Sequence, residues 1–214
     1  MSVIENTIAY VKKELANAEG GHDWFHIERV WKLAKTIAKE EKANLLVVEL
    51  GALLHDIADS KFHNGDESIG PKKALTFMHT QKISKEDKQH VLAIIENISF
   101  KGGETQNNID SLEFKVCQDA DRMDAIGAIG IARAFNYGGF KNRGLYDPAI
   151  APKLNMTKEE YKKSTAPTIN HFYEKLLLLK DLMHTDTAKK MAAHRHVYME
   201  TFLKEFYAEF EGRL

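Results

Sequence analysis

The sequence predicts an all-α chain, folded as one compact multi-helix domain over residues 1–214. Three observations lead to that class. Apolar residues recur at i, i+3 and i+4 along nearly the whole chain, the period of a helix with one buried face. No alternating apolar–polar run of useful length marks a strand. Polar and glycine-containing clusters fall between the periodic stretches, where helix–helix connections belong.

The first stretch, "MSVIENTIAYVKKELANAEG", carries charges throughout and reads as an amphipathic helix, not a signal peptide. Gly20-Gly21 breaks the chain, and Asp23 is placed to cap the next helix. In that helix Ile27, Val30, Trp31, Ala34, Ile37 and Ala38 form a stripe that belongs in a core. A third helix is expected from about Asn44 to Ile57, with Leu46, Leu50, Leu53, Leu54 and Ile57 inward. The polar "DSKFHNGDES" follows as a loop. Two more helices are expected around Glu67–Thr80 and from Ser84 to Ile98. After the loop "FKGGETQNN", the segment "IDSLEFKVCQDADRMDAIGAIGIARAF" reads as one long helix. Residues 136–165 hold prolines and glycines, and a connection of that length suits a lid or binding loop. Two helices separated near "HTDT" close the chain.

Composition narrows the function classes. The chain is 43% hydrophobic and 29% charged, the balance of a globular protein with a sizeable core. With 30 basic and 31 acidic residues its net charge is -1, so no global attraction to a nucleic acid polymer or a membrane is expected. Cys117 is the single cysteine, which rules out an intrachain disulfide and a thiolate zinc cluster. No run approaches the length of a membrane span, and a cytoplasmic protein is expected.

Polar residues inside apolar surroundings carry the chemistry. "LGALLHDIADS" places His55 and Asp56 in a stretch that is apolar on most of its circumference. A buried carboxylate without a partner costs several kcal/mol or turns neutral, so a positive group must meet it. His22-Asp23 is the same dipeptide at a helix start, where capping explains it. His26 lines up with Val30, Leu33 and Ile37 and borders the buried stripe. Asp119, Asp121 and Asp124 lie among Ala, Ile and Gly, and periodicity does not choose between Asp119 and Asp121. Two imidazoles and two carboxylates suit a divalent ion such as Mn²⁺, Fe²⁺, Co²⁺, Ni²⁺ or Zn²⁺. Such an ion activates water in many hydrolases.

In this order, "HIERV", "LLHDIAD" and "DADRMDAIG" resemble the H…HD…D signature of HD-domain metal-dependent phosphohydrolases. The flanks "HDWFHIERVWKLA", "ISFKGG" and "QDADRMDAIGAIGIARAF" are similar to the small stand-alone bacterial YedJ/YpgQ-like branch, and the likeness extends to "HFYEKLLLL". The resemblance implies a phosphodiesterase-like helical bundle and one divalent metal ion, with Mg²⁺ added to the set above. It also implies His26, His55, Asp56 and Asp121 as metal ligands. Asp119 is then left as a helix-surface carboxylate or one behind the ligands. Asp59 stands four residues after His55, on the same helical turn, and the resemblance implies for it the role of orienting or deprotonating the attacking water. Asp124 matches a position that supports the substrate or the ligands.

Two-metal relatives carry adjacent histidines where this chain has "AIIENISF". A single ion is therefore expected, and a second only with help from substrate phosphates. Phosphate-binding cations are sought at Lys101 in "FKGG", at Lys141 and Arg143 in the long loop, and at Lys175 and Arg195. Phe140 and Tyr146 are candidates for stacking on a base. The resemblance favours a nucleoside triphosphate, cleaved to monophosphate and pyrophosphate in one step. Alternatives are a nucleotide monophosphatase, a cyclic nucleotide or alarmone hydrolase, and a non-catalytic nucleotide-sensing module; a homodimer is compatible with each.

Overall fold

The structure, a computed structural model of the whole chain, describes all residues except 17, 19–22, 59–65, 67, 99–108, 158–159 and 161–162. The described elements are helical throughout, with no strand among them, as the periodicity predicts. The chain divides into two compact units, Met1–Asp121 and Arg122–Leu214.

The first unit holds α1 (Val3–Glu14), α2 (Trp24–Glu41), α3 (Leu45–Leu54), α4 (Ile69–His79), α5 (Lys85–Ile98) and most of α6 (Leu112–Asp124). Helix α1 starts on a capping box, in which the Ser2 hydroxyl and the Glu5 carboxylate each accept the other's backbone N–H. Asp23 caps α2 as expected, its carboxylate accepting from the His26 N–H at 2.9 Å. Ile27, Val30, Ala34, Ile37 and Ala38 are buried on α2, and Trp31 is half-buried. Helix α3 is buried at every position from Val47 to Leu54, which makes it the axis of this unit. It packs against α1, α2 and α5.

The second unit holds α7 (Gly127–Phe140), α8 (Thr168–Glu174), a 3₁₀ helix (Leu176–Leu182) and α9 (Asp186–Phe210). Its core is aromatic. Phe135 of α7, Phe172 of α8 and Phe202 of α9 meet with ring centroids 5.8–6.1 Å apart. Thr185 caps α9 by accepting from the Ala188 N–H.

Three boundaries depart from the expectation. The long helix over 109–135 is broken at Ala125-Ile126, because Gly127 takes a left-handed φ of 76° after an extended Ile126. The Arg195 side chain lies in the notch: a Cβ on Gly127 would stand 3.0 Å from its Cγ, and its guanidinium donates to the Met123 carbonyl. Helix α3 ends at Leu54 instead of Ile57, where the His55 ring takes up the Ala52 carbonyl. Residues 136–140, expected in the long connection, are the last turn of α7. Gly138 is there because a Cβ would fall 2.2 Å from the Thr168 hydroxyl at the start of α8.

Candidate metal centre

The centre is set up by a close approach of α3 and α6. A Cβ on Gly51 would stand 3.1 Å from Cys117 Sγ and 3.3 Å from Ile94 Cγ2, so the missing side chain of glycine leaves room for α6 and α5 to pack here without displacing either side chain. The Cys117 thiol points at the Val48 carbonyl, 3.5 Å away. Both chains run onward in the same sense. One turn later, His55 follows Gly51 and Asp121 follows Cys117, and the two side chains meet.

Asp121 Oδ1 is 3.7 Å from His55 Nε2 and 3.6 Å from His26 Nε2. The two imidazoles meet edge to face, with centroids 5.4 Å apart. Donor atoms of His26, His55 and Asp56 all lie within 4.8 Å of one another. The structure therefore brings His26, His55, Asp56 and Asp121 together within the first unit. An ion about 2.1 Å from each donor would set neighbouring donors roughly 3 to 3.5 Å apart, slightly tighter than these gaps.

Burial and charge fit a cation. The His26 and His55 side chains are 3% and 4% exposed, while Asp121 keeps 32% and opens the centre to solvent. His55 Nδ1 lies 2.8 Å from the Ala52 carbonyl, so Nδ1 carries the donated proton and Nε2 turns inward. This carbonyl is the one element of the site that the sequence did not reveal; the early end of α3 supplies it. Burial works to lower the His55 pKa, yet the hydrogen bond and charge of Asp121, with Asp56, raise it to about 9. A buried imidazole that holds its proton at neutral pH marks a centre short of positive charge. Two imidazole nitrogens and two carboxylates are the donor set of a divalent ion of intermediate softness.

The other expected site residues stand as follows. Asp59 and Lys101 lie outside the described residues. Asp124 is buried and pairs with Arg133, whose guanidinium also donates to the Asp124 carbonyl. Asp119 is fully buried, so it is not a helix-surface carboxylate. In the second unit, Arg195 is engaged with Met123 as above, and burial lowers its pKa. Arg143 donates to the Ser164 carbonyl at 2.6 Å and lies over the Tyr137 ring. Lys141 sits over Tyr137 and Phe140, and Lys175 is half-buried at the end of α8. Phe140 is exposed, whereas Tyr146 packs edge-on against Phe206, Tyr207 and Phe210. No helix among the described residues is long and apolar enough to cross a membrane.

Comparison with known proteins identifies the family of the chain. Residues 24–126 match the HD domain family. Bacillus subtilis YpgQ is 36% identical over 97% of this chain and 94% of its own length. A crystal structure of an HD-superfamily hydrolase from Bacillus thuringiensis superposes with a TM-score of 0.79 at 45% identity, covering 97% of this chain and 96% of that one. The crystal structure of YpgQ in complex with ADP superposes at 0.74 with 36% identity, covering 96% and 94%.

Proposed function

This chain belongs to the HD-domain family, in its YpgQ-like branch, and is a metal-dependent phosphohydrolase; on that premise we propose that it hydrolyses nucleoside triphosphates to monophosphate and pyrophosphate. The observation that carries the reading is the approach of Asp121 to both His26 and His55, 3.6 and 3.7 Å away, beside Asp56. The nucleotide is favoured because YpgQ, a relative over nearly its whole length, forms a complex with ADP.

In this reading His26 and His55 offer Nε2 and Asp56 and Asp121 offer carboxylate oxygens to one divalent ion. A bound ion of this kind polarises a phosphoryl oxygen and lowers the pKa of water. The Ala52 carbonyl fixes the His55 ring, so that Nε2 stays the donor to the centre. Asp59 orients the attacking water and accepts its proton. Lys101, Lys141, Arg143, Lys175 and Arg195 offset the negative charge of the phosphates, and Asp124 holds Arg133 in place. No covalent intermediate is required. Residues 1–214 act as one functional domain, in which the expected binding segment 136–165, its first five residues being the last turn of α7, contacts substrate.

A panel of nucleotides with Mn²⁺, with products identified by mass, tests the reading. It expects a nucleoside monophosphate and pyrophosphate, and loss of turnover in His55→Ala and Asp56→Ala. Release of a single phosphate would refute the assigned bond, and no turnover across nucleotides and metals would refute the activity.

A further inference from the structure

Two open cavities share Tyr146 in the second unit. One, of about 420 Å³, is lined by Tyr146, Asp147, Pro148, Pro152, Tyr173 and Tyr207, among others. The other, of about 460 Å³, is lined by Leu145, Tyr146, Phe206, Glu209 and Phe210. Two hydrogen bonds tie this stretch of the connection to α8. The Ile169 N–H donates to the Leu145 carbonyl at 3.0 Å, and the Asn170 side-chain amide donates to the Ile150 carbonyl at 3.0 Å. Cavities of several hundred Å³ suit a small molecule.

The lining is aromatic and anionic. Tyr146 meets Tyr207 with centroids 5.2 Å apart at 69°, and Phe210 at 4.9 Å and 80°, so the rings build a corner instead of a flat wall. The Tyr207 hydroxyl donates to the Tyr173 hydroxyl at 3.2 Å. Each cavity has one carboxylate, and no Lys, Arg or His is among the described residues that line either. Asp147 accepts the Ala149 N–H at 2.8 Å, and neither it nor Glu209 meets a cationic side chain among the described residues. Lys153, the next residue after Pro152, is paired with Glu160, 2.7 Å away. A carboxylate beside tyrosine and phenylalanine rings attracts a cation by its own charge and by the ring faces.

We propose that the two cavities form one binding site for an aliphatic polyamine. One ammonium group pairs with Asp147 and another with Glu209, and the methylene chain between them lies across Tyr146. Two carboxylates, one in each of two cavities that share a ring, call for two positive charges on one flexible ligand. A single ammonium would leave one carboxylate unanswered. Phosphates do not belong here, because they would meet two carboxylates with no cation in the lining to offset them. The site is thus separate from nucleotide binding, and it depends neither on the metal nor on the phosphohydrolase reading.

Titration calorimetry of the full chain with spermidine, chelator present, tests the site. Saturable binding of one spermidine per chain is expected, and an uncharged diol of similar length should not bind at the same concentrations. Asp147→Asn and Glu209→Gln keep the size of each side chain and remove its charge, and each is expected to weaken spermidine about tenfold. Tyr146→Phe keeps the ring and should keep the affinity, whereas Tyr146→Leu should lower it. Glu205→Gln removes an exposed carboxylate of α9 that lines neither cavity, and should leave the affinity unchanged. Absence of saturable spermidine binding overturns the site. Equal weakening by Glu205→Gln also overturns it, since the attraction would then be to acidic surface in general. Binding of the diol as tight as that of spermidine overturns it as well, because the charge would then play no part.

Discussion

Gly51 and Cys117 touch so closely that a single methyl group on the glycine would stand 3.1 Å from the sulfur. That contact fixes the spacing of α3 and α6 one turn before His55 and Asp121, so the packing of two apolar positions determines the width of the polar centre.

Gly51→Val places two methyl groups where Cys117 and Ile94 already are. It is expected to lower stability by about 1–3 kcal/mol through overpacking. It should also weaken binding of Mn²⁺, because His55 and Asp121 are driven apart. Urea unfolding and a Mn²⁺ titration of the variant check both effects; weakened stability with unchanged metal affinity would separate the packing from the centre.

Gly127→Ala puts a side chain at a φ of 76°, with its Cβ 3.0 Å from Arg195 Cγ. The left-handed backbone alone costs about 1 kcal/mol, and displacement of Arg195 adds to it. A fall in the thermal midpoint is expected, and Arg195→Ala in the same background should recover part of it.

Arg133→Met removes the guanidinium that pairs with the buried Asp124, whose side chain is 4% exposed. Breaking such a pair costs about 3–5 kcal/mol when both partners are buried. Arg133 is 29% exposed, so the expected loss is about 2–3 kcal/mol. Denaturant midpoints measure it. A neutral outcome would mean that Asp124 is held by other groups.

His171 makes stability depend on pH. Its folded pKa is lowered to about 4 from 6.5 by burial and by the charges of Lys175 and Arg143. The unfolded chain therefore binds a proton near pH 6.5 that the folded chain refuses until about pH 4. The stabilising difference is complete above pH 6.5 and is lost as pH falls, by up to about 3 kcal/mol at pH 4. Urea midpoints at pH 7, 5.5 and 4.5 in a buffer without phosphate should fall more steeply in the parent than in His171→Asn.

Much of the fold and the centre was legible in local pattern. The α2 stripe of Ile27, Val30, Ala34, Ile37 and Ala38 is buried as its spacing predicts, and Asp23 caps that helix as a short polar side chain before an apolar run should. His55 and Asp56 stood out because a charged pair in an apolar stretch requires a partner. The features that were not legible depend on residues far apart in the chain. The break at Ala125-Ile126 follows from Gly127 accommodating Arg195, 68 positions later in the sequence. Periodicity left Asp119 and Asp121 level; the contact of Cys117 with Gly51 turns Asp121 to the histidines and leaves Asp119 buried. His171 carried only a four-residue spacing to Lys175, and its second neighbour, Arg143, comes from the preceding connection.

The central claim is that His26, His55, Asp56 and Asp121 hold one divalent ion, and metal analysis of the protein purified without chelator tests it most directly. The expected result is one divalent transition metal per chain, lost in His26→Ala and in Asp121→Ala, with both variants still helical by circular dichroism. A parent protein that carries no ion and shows no thermal shift with Mn²⁺, Co²⁺ or Zn²⁺ would contradict the claim, as would full metal content in either variant.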